Sequence, residues 1–182
     1  MEEAAARGLY NLRTTVDALP HYISQKNVDL FPRHHISTEP EVHARYEILL
    51  ENYVRVLNIE SLPMLDMARK KIVPAVVSYI KQLTETAAAK MTISSSLPCE
   101  TERSLIHRLS SLLDAEGRQE GALENALPEA PADGALARAE FSRDKVIPAM
   151  TALRSAADQL EPLVDKALWP FPTYSDLLFS VN

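Results

Sequence analysis

Apolar residues recur at three- and four-residue steps along most of this chain. Tyr46, Leu49, Leu50, Tyr53 and Leu57 begin the pattern, and Leu65, Ala68, Ile72, Ala75, Val76, Tyr79 and Leu83 carry it to about residue 90. That period marks one face of a helix. Its start is signalled by Ser37 and Thr38 ahead of Glu39, Pro40 and Glu41, which supply a capping side chain, a first-turn proline and acids at the positive end of the helix dipole. Ser61 and Pro63 permit a restart, so a break between Asn58 and Ser61 and one continuous rod both stay open. A second helix is expected to open at Thr101, with Pro98 behind it, and carries Leu105, Ile106, Leu109, Leu112 and Leu113 on one side. Gly117 and Gly121 weaken its far end, and Pro128 to Gly134 reads as a loop. In a third helix Val146, Met150, Leu153, Ala157, Leu160 and Val164 are spaced 4, 3, 4, 3, 4, the rhythm of a packed bundle seam.

One short internal echo has mechanical content. Arg69 to Ala75 (RKKIVPA) resembles Arg143 to Ala149 (RDKVIPA), and each places a proline inside a continuing helical pattern. Pro74 and Pro148 remove one intrahelical bond each and displace the carbonyls of Lys70 and Asp144. Two kinks are expected. If the helices run down, up, down with a return helix of about 25 residues, the first and third are parallel and the two prolines fall at similar heights, where both helices bend together. Chance similarity of two proline-containing amphipathic stretches is the alternative.

Residues 1–37 have no sustained period. Pro20 and Pro32 interrupt them, and Leu9, Leu12, Leu19, Ile23 and Phe31 are irregularly spaced, so short helices and loops lying against something larger are expected. The opening reads as a helix end stopped at Gly8, with Met1 an added or alternative start. The predicted fold is all-α: an antiparallel bundle of three to four long helices over 38–168, an irregular segment over 1–37, and an extended aromatic tail over 169–182.

Composition agrees with helices. The 182 residues include only 4 Gly against 23 Ala and 24 Leu, a scarcity that disfavours dinucleotide folds and phosphate-cradling loops. No apolar run approaches the roughly 18 to 20 residues of a membrane span, and no export signal opens the chain, so a soluble protein is expected. A lone cysteine, Cys99, suits a reducing, cytoplasmic setting. The formal charge of −6 comes wholly from the second half: residues 1–91 hold 11 acids and 11 bases, residues 92–182 hold 14 and 8. A nucleic-acid groove is therefore not expected.

Candidate chemistry is sparse. No Glu has a His three residues later, as helical di-metal sites require. His34, His35 and His43 read as surface or capping residues, and His21 and His107 stand alone. Cys99, next to a helix start but without an identifiable base, reads as an ordinary loop thiol. Glu100, Glu102, Glu116, Glu120 and Glu124 cluster around the second helix as a solvated face. The tail is richer: Trp169, Phe171, Tyr174 and Phe179, with Pro170 and Pro172, bury substantial area against the bundle or a neighbouring surface, and Ser175 is expected to cap a turn holding Leu177, Leu178 and Phe179. No catalytic, cofactor-binding or metal residue is assigned. The candidate interface residues are Trp169, Phe171, Tyr174, Leu177, Leu178, Phe179, Leu9, Leu12 and Leu19.

Four stretches, GLYNLRTTVDALP (Gly8 to Pro20), RYEILLENY (Arg45 to Tyr53), NIESLPMLDMARKKIVPAV (Asn58 to Val76) and DKALWPFPTYSDLLFSV (Asp165 to Val181), carry a resemblance. Together they are similar to the C-terminal region of type III glutamine synthetase. The resemblance implies a parent enzyme that joins glutamate and ammonia with ATP and Mg or Mn, assembled as two stacked six-membered rings. It also implies that the catalytic residues lie in a preceding β-rich part, with residues 1–37 linking to it and this chain inactive alone. A free-standing helical adaptor that binds a partner through its tail or its N-terminal apolar residues is the alternative.

Overall fold

The chain is described by a computed structural model for residue 3 and residues 6–179, the side chains of Tyr174, Ser175 and Phe179 excepted. Every regular element among the described residues is helical. The elements are α1 (Thr15–Tyr22), α2 (Gln25–Arg33), α3 (Glu39–Met67), α4 (Val73–Ile93), α5 (Glu100–Ala126), α6 (Ala135–Phe141), α7 (Ile147–Leu160) and α8 (Tyr174–Phe179), with short 3₁₀ turns at Leu127–Glu129 and Glu161–Leu163. Two π-helical segments, Ala68–Ile72 and Ser142–Val146, join α3 to α4 and α6 to α7.

Local chemistry explains most boundaries. Gly8, at φ 74°, takes the left-handed conformation that favours glycine at a helix end. At the start of α1, Thr14 Oγ1 accepts from the Asp17 N–H at 3.1 Å. Pro20 and Pro32 lie inside α1 and α2, in their last turns. After α2, His35 sits at φ 55°, with its N–H on the Pro32 carbonyl and the Ile36 N–H on the Phe31 carbonyl, so this histidine ends a helix in a Schellman-type turn. A capping box opens α3: the Thr38 N–H and hydroxyl both donate to Glu41 Oε2, at 2.7 and 2.9 Å. Those bonds hold the Glu41 carboxyl below its usual pKa. Helix α3 then runs unbroken through Asn58, Ser61 and Pro63. Helix α5 starts at Glu100, one residue before the expected Thr101, and continues through Gly117 and Gly121 to Ala126.

The sequence echo has a structural counterpart. Both π segments end two residues before a proline, at Ile72 before Pro74 and at Val146 before Pro148. In each the next N–H reaches five residues back, Val73 to the Ala68 carbonyl and Ile147 to the Ser142 carbonyl. A wider turn at this point moves aside the carbonyl that the proline ring meets in a regular helix.

The described chain divides into two units. One comprises Met1–Ile59 and Glu129–Ile147, around buried Val16, Leu50 and Ala139. Arg143 ties α1 to the second π segment there, donating to Asp17 Oδ1 at 2.7 Å while also pairing with Asp144. The other comprises Glu60–Pro128 and Pro148–Asn182, around Ile72, Val76, Leu109, Leu160 and Val164. Within it α4 and α5 run antiparallel, since Lys90 pairs with Glu102 and Arg69 with Glu120.

The expected common height of the two prolines does not hold. Ser61 donates to the Met150 sulfur at 3.2 Å, and Ile72 and Val76 share a cluster with Leu160 and Val164, so the first and third helical runs are parallel in this unit. That register puts Pro148 within a turn of the level of Ser61, some 13 residues before Pro74, or about 20 Å at 1.5 Å rise per residue. The expectation assumed a tight reversal after α5. The connection Leu127–Gly134 is instead eight residues long, and such a length spans up to about 25 Å when extended.

Neither Gly117 nor Gly121 has a positive φ, and a Cβ at either meets nothing within 4 Å. The double variant Gly117→Ala, Gly121→Ala is therefore expected to gain about 1 kcal/mol per site. Thermal unfolding followed by circular dichroism checks this, with the midpoint rising by about 2–4 °C per kcal/mol for a chain of this size.

Candidate functional site

The second unit holds an apolar groove of about 290 Å³. Met64, Met67, Ala68 and Ile72 form one wall, Leu153 and Ala157 of α7 another, and Trp169, Phe171, Pro172 and Leu177 of the tail close it. Arg154 and Asp158, 3.6 Å apart, stand at its polar edge with Glu161. The tail is thus folded against its own unit. Trp169 and Phe171 meet edge to face with ring centroids 6.5 Å apart, and both pack on the Ile72, Val76 and Leu160 cluster. Thr173, rather than Ser175, caps α8: its hydroxyl accepts from the Asp176 N–H at 3.3 Å, and its own N–H donates to Asp176 Oδ2 at 3.0 Å. Asp176 also takes Lys166, and these contacts hold its carboxyl down at about 2.

The nominated interface residues divide. Trp169 and Phe171 are half-buried as described, while Leu177 and Leu178 remain 67% and 74% exposed. Leu9 and Leu12 are exposed, whereas Leu19 packs on the Val16 and Leu50 cluster. The side chains of Tyr174 and Phe179 lie outside the described residues.

The acids of α5 are not a uniformly solvated face: the Glu102 and Glu120 side chains are each 14% exposed, and Glu116 departs furthest. Glu116 is fully buried, and neither carboxylate oxygen has a hydrogen-bond partner. Seven residues separate it from Leu109 before and from Leu123 after, both also fully buried, so it occupies a core position of the helix. Counting on from Leu109 at seven-residue steps finds it in the sequence. Burial, with the Glu120 charge one turn away, pushes its pKa up to about 7. Glu120 and Glu124 face Arg69, whose Nε meets Glu120 and whose Nη1 donates to Glu124 at 2.9 Å. Glu102 pairs with Lys90. Cys99 is a loop residue just before α5 and is buried, its Sγ 3.7 Å from the Leu97 carbonyl oxygen. His21 stacks on Tyr10, ring centroids 4.4 Å apart. Among the described residues no group of three or more His, Cys, Asp or Glu side chains is placed to hold a metal ion, and no helix is long and apolar enough to cross a membrane. The arrangement offers packing surfaces and ion pairs, and no step of phosphoryl transfer is assigned to these residues.

Residues 1–91 match the family model of the glutamine synthetase C-terminal domain. The chain belongs to that family. Relatives extend the likeness over the whole chain. A glutamine synthetase of Butyrivibrio fibrisolvens is 36% identical over all of it, and the type-3 glutamine synthetase of Dictyostelium discoideum and a glutamine synthetase of Bacteroides fragilis are each 30% identical over 98%. The chain spans about a quarter of the length of these relatives. The tail and the α7 wall of the groove lie beyond the part matched by the family model, while the wall from Met64 to Ile72 lies within it.

The buried carboxyl of this C-terminal domain gives a stability test. Its folded pKa is raised, so the unfolded state releases the proton first, near 4.5, and the folded state near 7. The cost is absent below pH 4.5, accumulates as pH rises to 7, and is complete above. Glu116→Gln is expected to exceed the unaltered chain in stability by about 3 kcal/mol at pH 8 and to match it at pH 4. Urea denaturation of both proteins across that range checks the difference.

Proposed function

We propose that this chain is the C-terminal scaffold of a type III glutamine synthetase, an enzyme that joins glutamate and ammonia with ATP and Mg or Mn in the cytoplasm. Its reacting groups belong to a preceding catalytic part of the same polypeptide. In this reading the chain is a bundle of three to four long helices that bend at Pro74 and Pro148, linked through residues 1–37 and finished by the tail over 169–182. It packs on the catalytic part and helps support an assembly of two stacked six-membered rings. Exposed Leu9, Leu12, Leu177 and Leu178 supply surface for those contacts.

The observation that carries this reading is coverage. Relatives named glutamine synthetase match the whole chain, yet it accounts for only 25–26% of their length.

A γ-glutamyl transferase assay on the purified 182-residue chain, with ATP analogues and Mg or Mn supplied, is expected to give no metal-dependent turnover. Turnover overturns the scaffold reading. Mapping the coding region is expected to find the reading frame continuing upstream for about three times this chain's length, by proportion to the relatives. A frame that begins at Met1 favours a free-standing adaptor instead.

A further inference from the structure

On α5, Glu116, Glu120 and Glu124 stand at successive four-residue steps, one above another on the same face. Their burial is graded: the Glu124 side chain is 55% exposed, Glu120 14%, and Glu116 is fully buried. A single guanidinium, Arg69 of the first π segment, serves the outer two. Its Nε donates to Glu120, and Nη1 and Nη2 donate to the two oxygens of Glu124 at 2.9 and 2.5 Å. The innermost carboxyl has no partner for either oxygen. A buried acid in that position is stable only with its proton on, because an ionised carboxylate removed from water requires a positive partner.

The charged groups facing it are few. Along α5 the neighbour is Glu120, one turn on, which opposes ionisation. From the antiparallel run across, Arg69 pairs with Glu120, the carboxylate one helical turn from Glu116. Lys70 in the same π segment is engaged by Asp66. Ser61, Leu153 and Leu160, from the other helices of this unit, bring no charge to its core.

We propose that the three carboxylates and Arg69 form a proton-controlled latch: protonated Glu116 leaves Arg69 on Glu120 and Glu124, and ionised Glu116 draws the guanidinium one step inward, releasing Glu124. The step is a proton loss from Glu116 to solvent and an exchange of hydrogen-bond acceptors at Arg69, with no covalent change. The long side chain and the five donors of arginine suit such a shift, since its planar fork re-pairs with one carboxylate as it leaves another. The latch lies where α5 meets the π turn that precedes Pro74, so its two states load that turn differently.

Carboxyl ¹³C NMR titration of the 182-residue chain tests this. As Glu116 titrates, the Glu124 carboxyl resonance is expected to move with the same midpoint, because it loses Arg69 at that moment. In Arg69→Met the ionised form has no partner to receive, so the Glu116 midpoint is expected to rise by at least one pH unit, a tenfold change. In Arg69→Lys, which keeps a cation but not the fork, a smaller rise is expected. Glu116→Gln should abolish the coupled movement of Glu124 while leaving the fold intact. A Glu116 midpoint unchanged in both Arg69 variants, or a Glu124 resonance indifferent to it, overturns the latch and leaves a plain buried acid. Both results are independent of whether the chain belongs to a larger synthetase.

Discussion

Proline in the interior of long helices is the constraint on which much of this structure depends. Pro74 and Pro148 each remove an N–H and displace a carbonyl, at a cost of about 3 kcal/mol in a regular helix. The chain meets both with the same device, a five-residue π turn ending two residues earlier. Its side chains are deployed alike in the two places. The first and last residues, Ala68 and Ile72 or Ser142 and Val146, are buried, and the second is an arginine that reaches carboxylates on another helix. Arg69 and Arg143 are part-exposed, so each pair contributes about 1 kcal/mol or less. Burial of Ile72 and Val146 is the larger compensation, at about 1.5–3 kcal/mol per side chain. The arginines orient the turn and the apolar residues hold it.

Polar residues inside apolar stripes are resolved differently according to their chemistry. Ser142 returns its hydroxyl to the Arg138 carbonyl at 2.9 Å, and Ser61 donates to the Met150 sulfur, so both are buried with little penalty. Glu116 has no such recourse. A carboxyl at a core position between Leu109 and Leu123 trades stability above neutral pH for a titratable group inside the helix packing.

Among the described residues the side chains of the second unit gather into packing surfaces and ion pairs. Trp169 and Phe171 are committed to the unit's own core, and the capping of α8 by Thr173 and Asp176 fixes where the chain leaves them. Leu177 and Leu178 then face outward from a braced turn. The first half of the chain is balanced in charge and the second acidic, so ion pairs such as Lys90 with Glu102 and Lys166 with Asp176 consume much of the available positive charge within the second unit.

Helices, caps and stops were legible from residues within about four positions of one another, because helical hydrogen bonds and capping bonds have that reach. Thr38 with Glu41, Gly8, and the stripe from Val146 to Leu160 are cases in point. The echo of Arg69 to Ala75 in Arg143 to Ala149 was also visible, and its shared π turn follows from local proline chemistry. Tertiary structure alone decided the rest. The heights of Pro74 and Pro148 depend on the path of the connection Leu127–Gly134, which no periodicity encodes. The continuity of α3 past Pro63 and the burial of Cys99 each turn on which neighbours arrive, whereas the Thr173 cap is a local bond to Asp176 that was open to the sequence. Glu116 was read with the solvated acids of α5, although its seven-residue spacing from Leu109 and Leu123 marks the core face, and only the packed helices show that nothing pairs with it there.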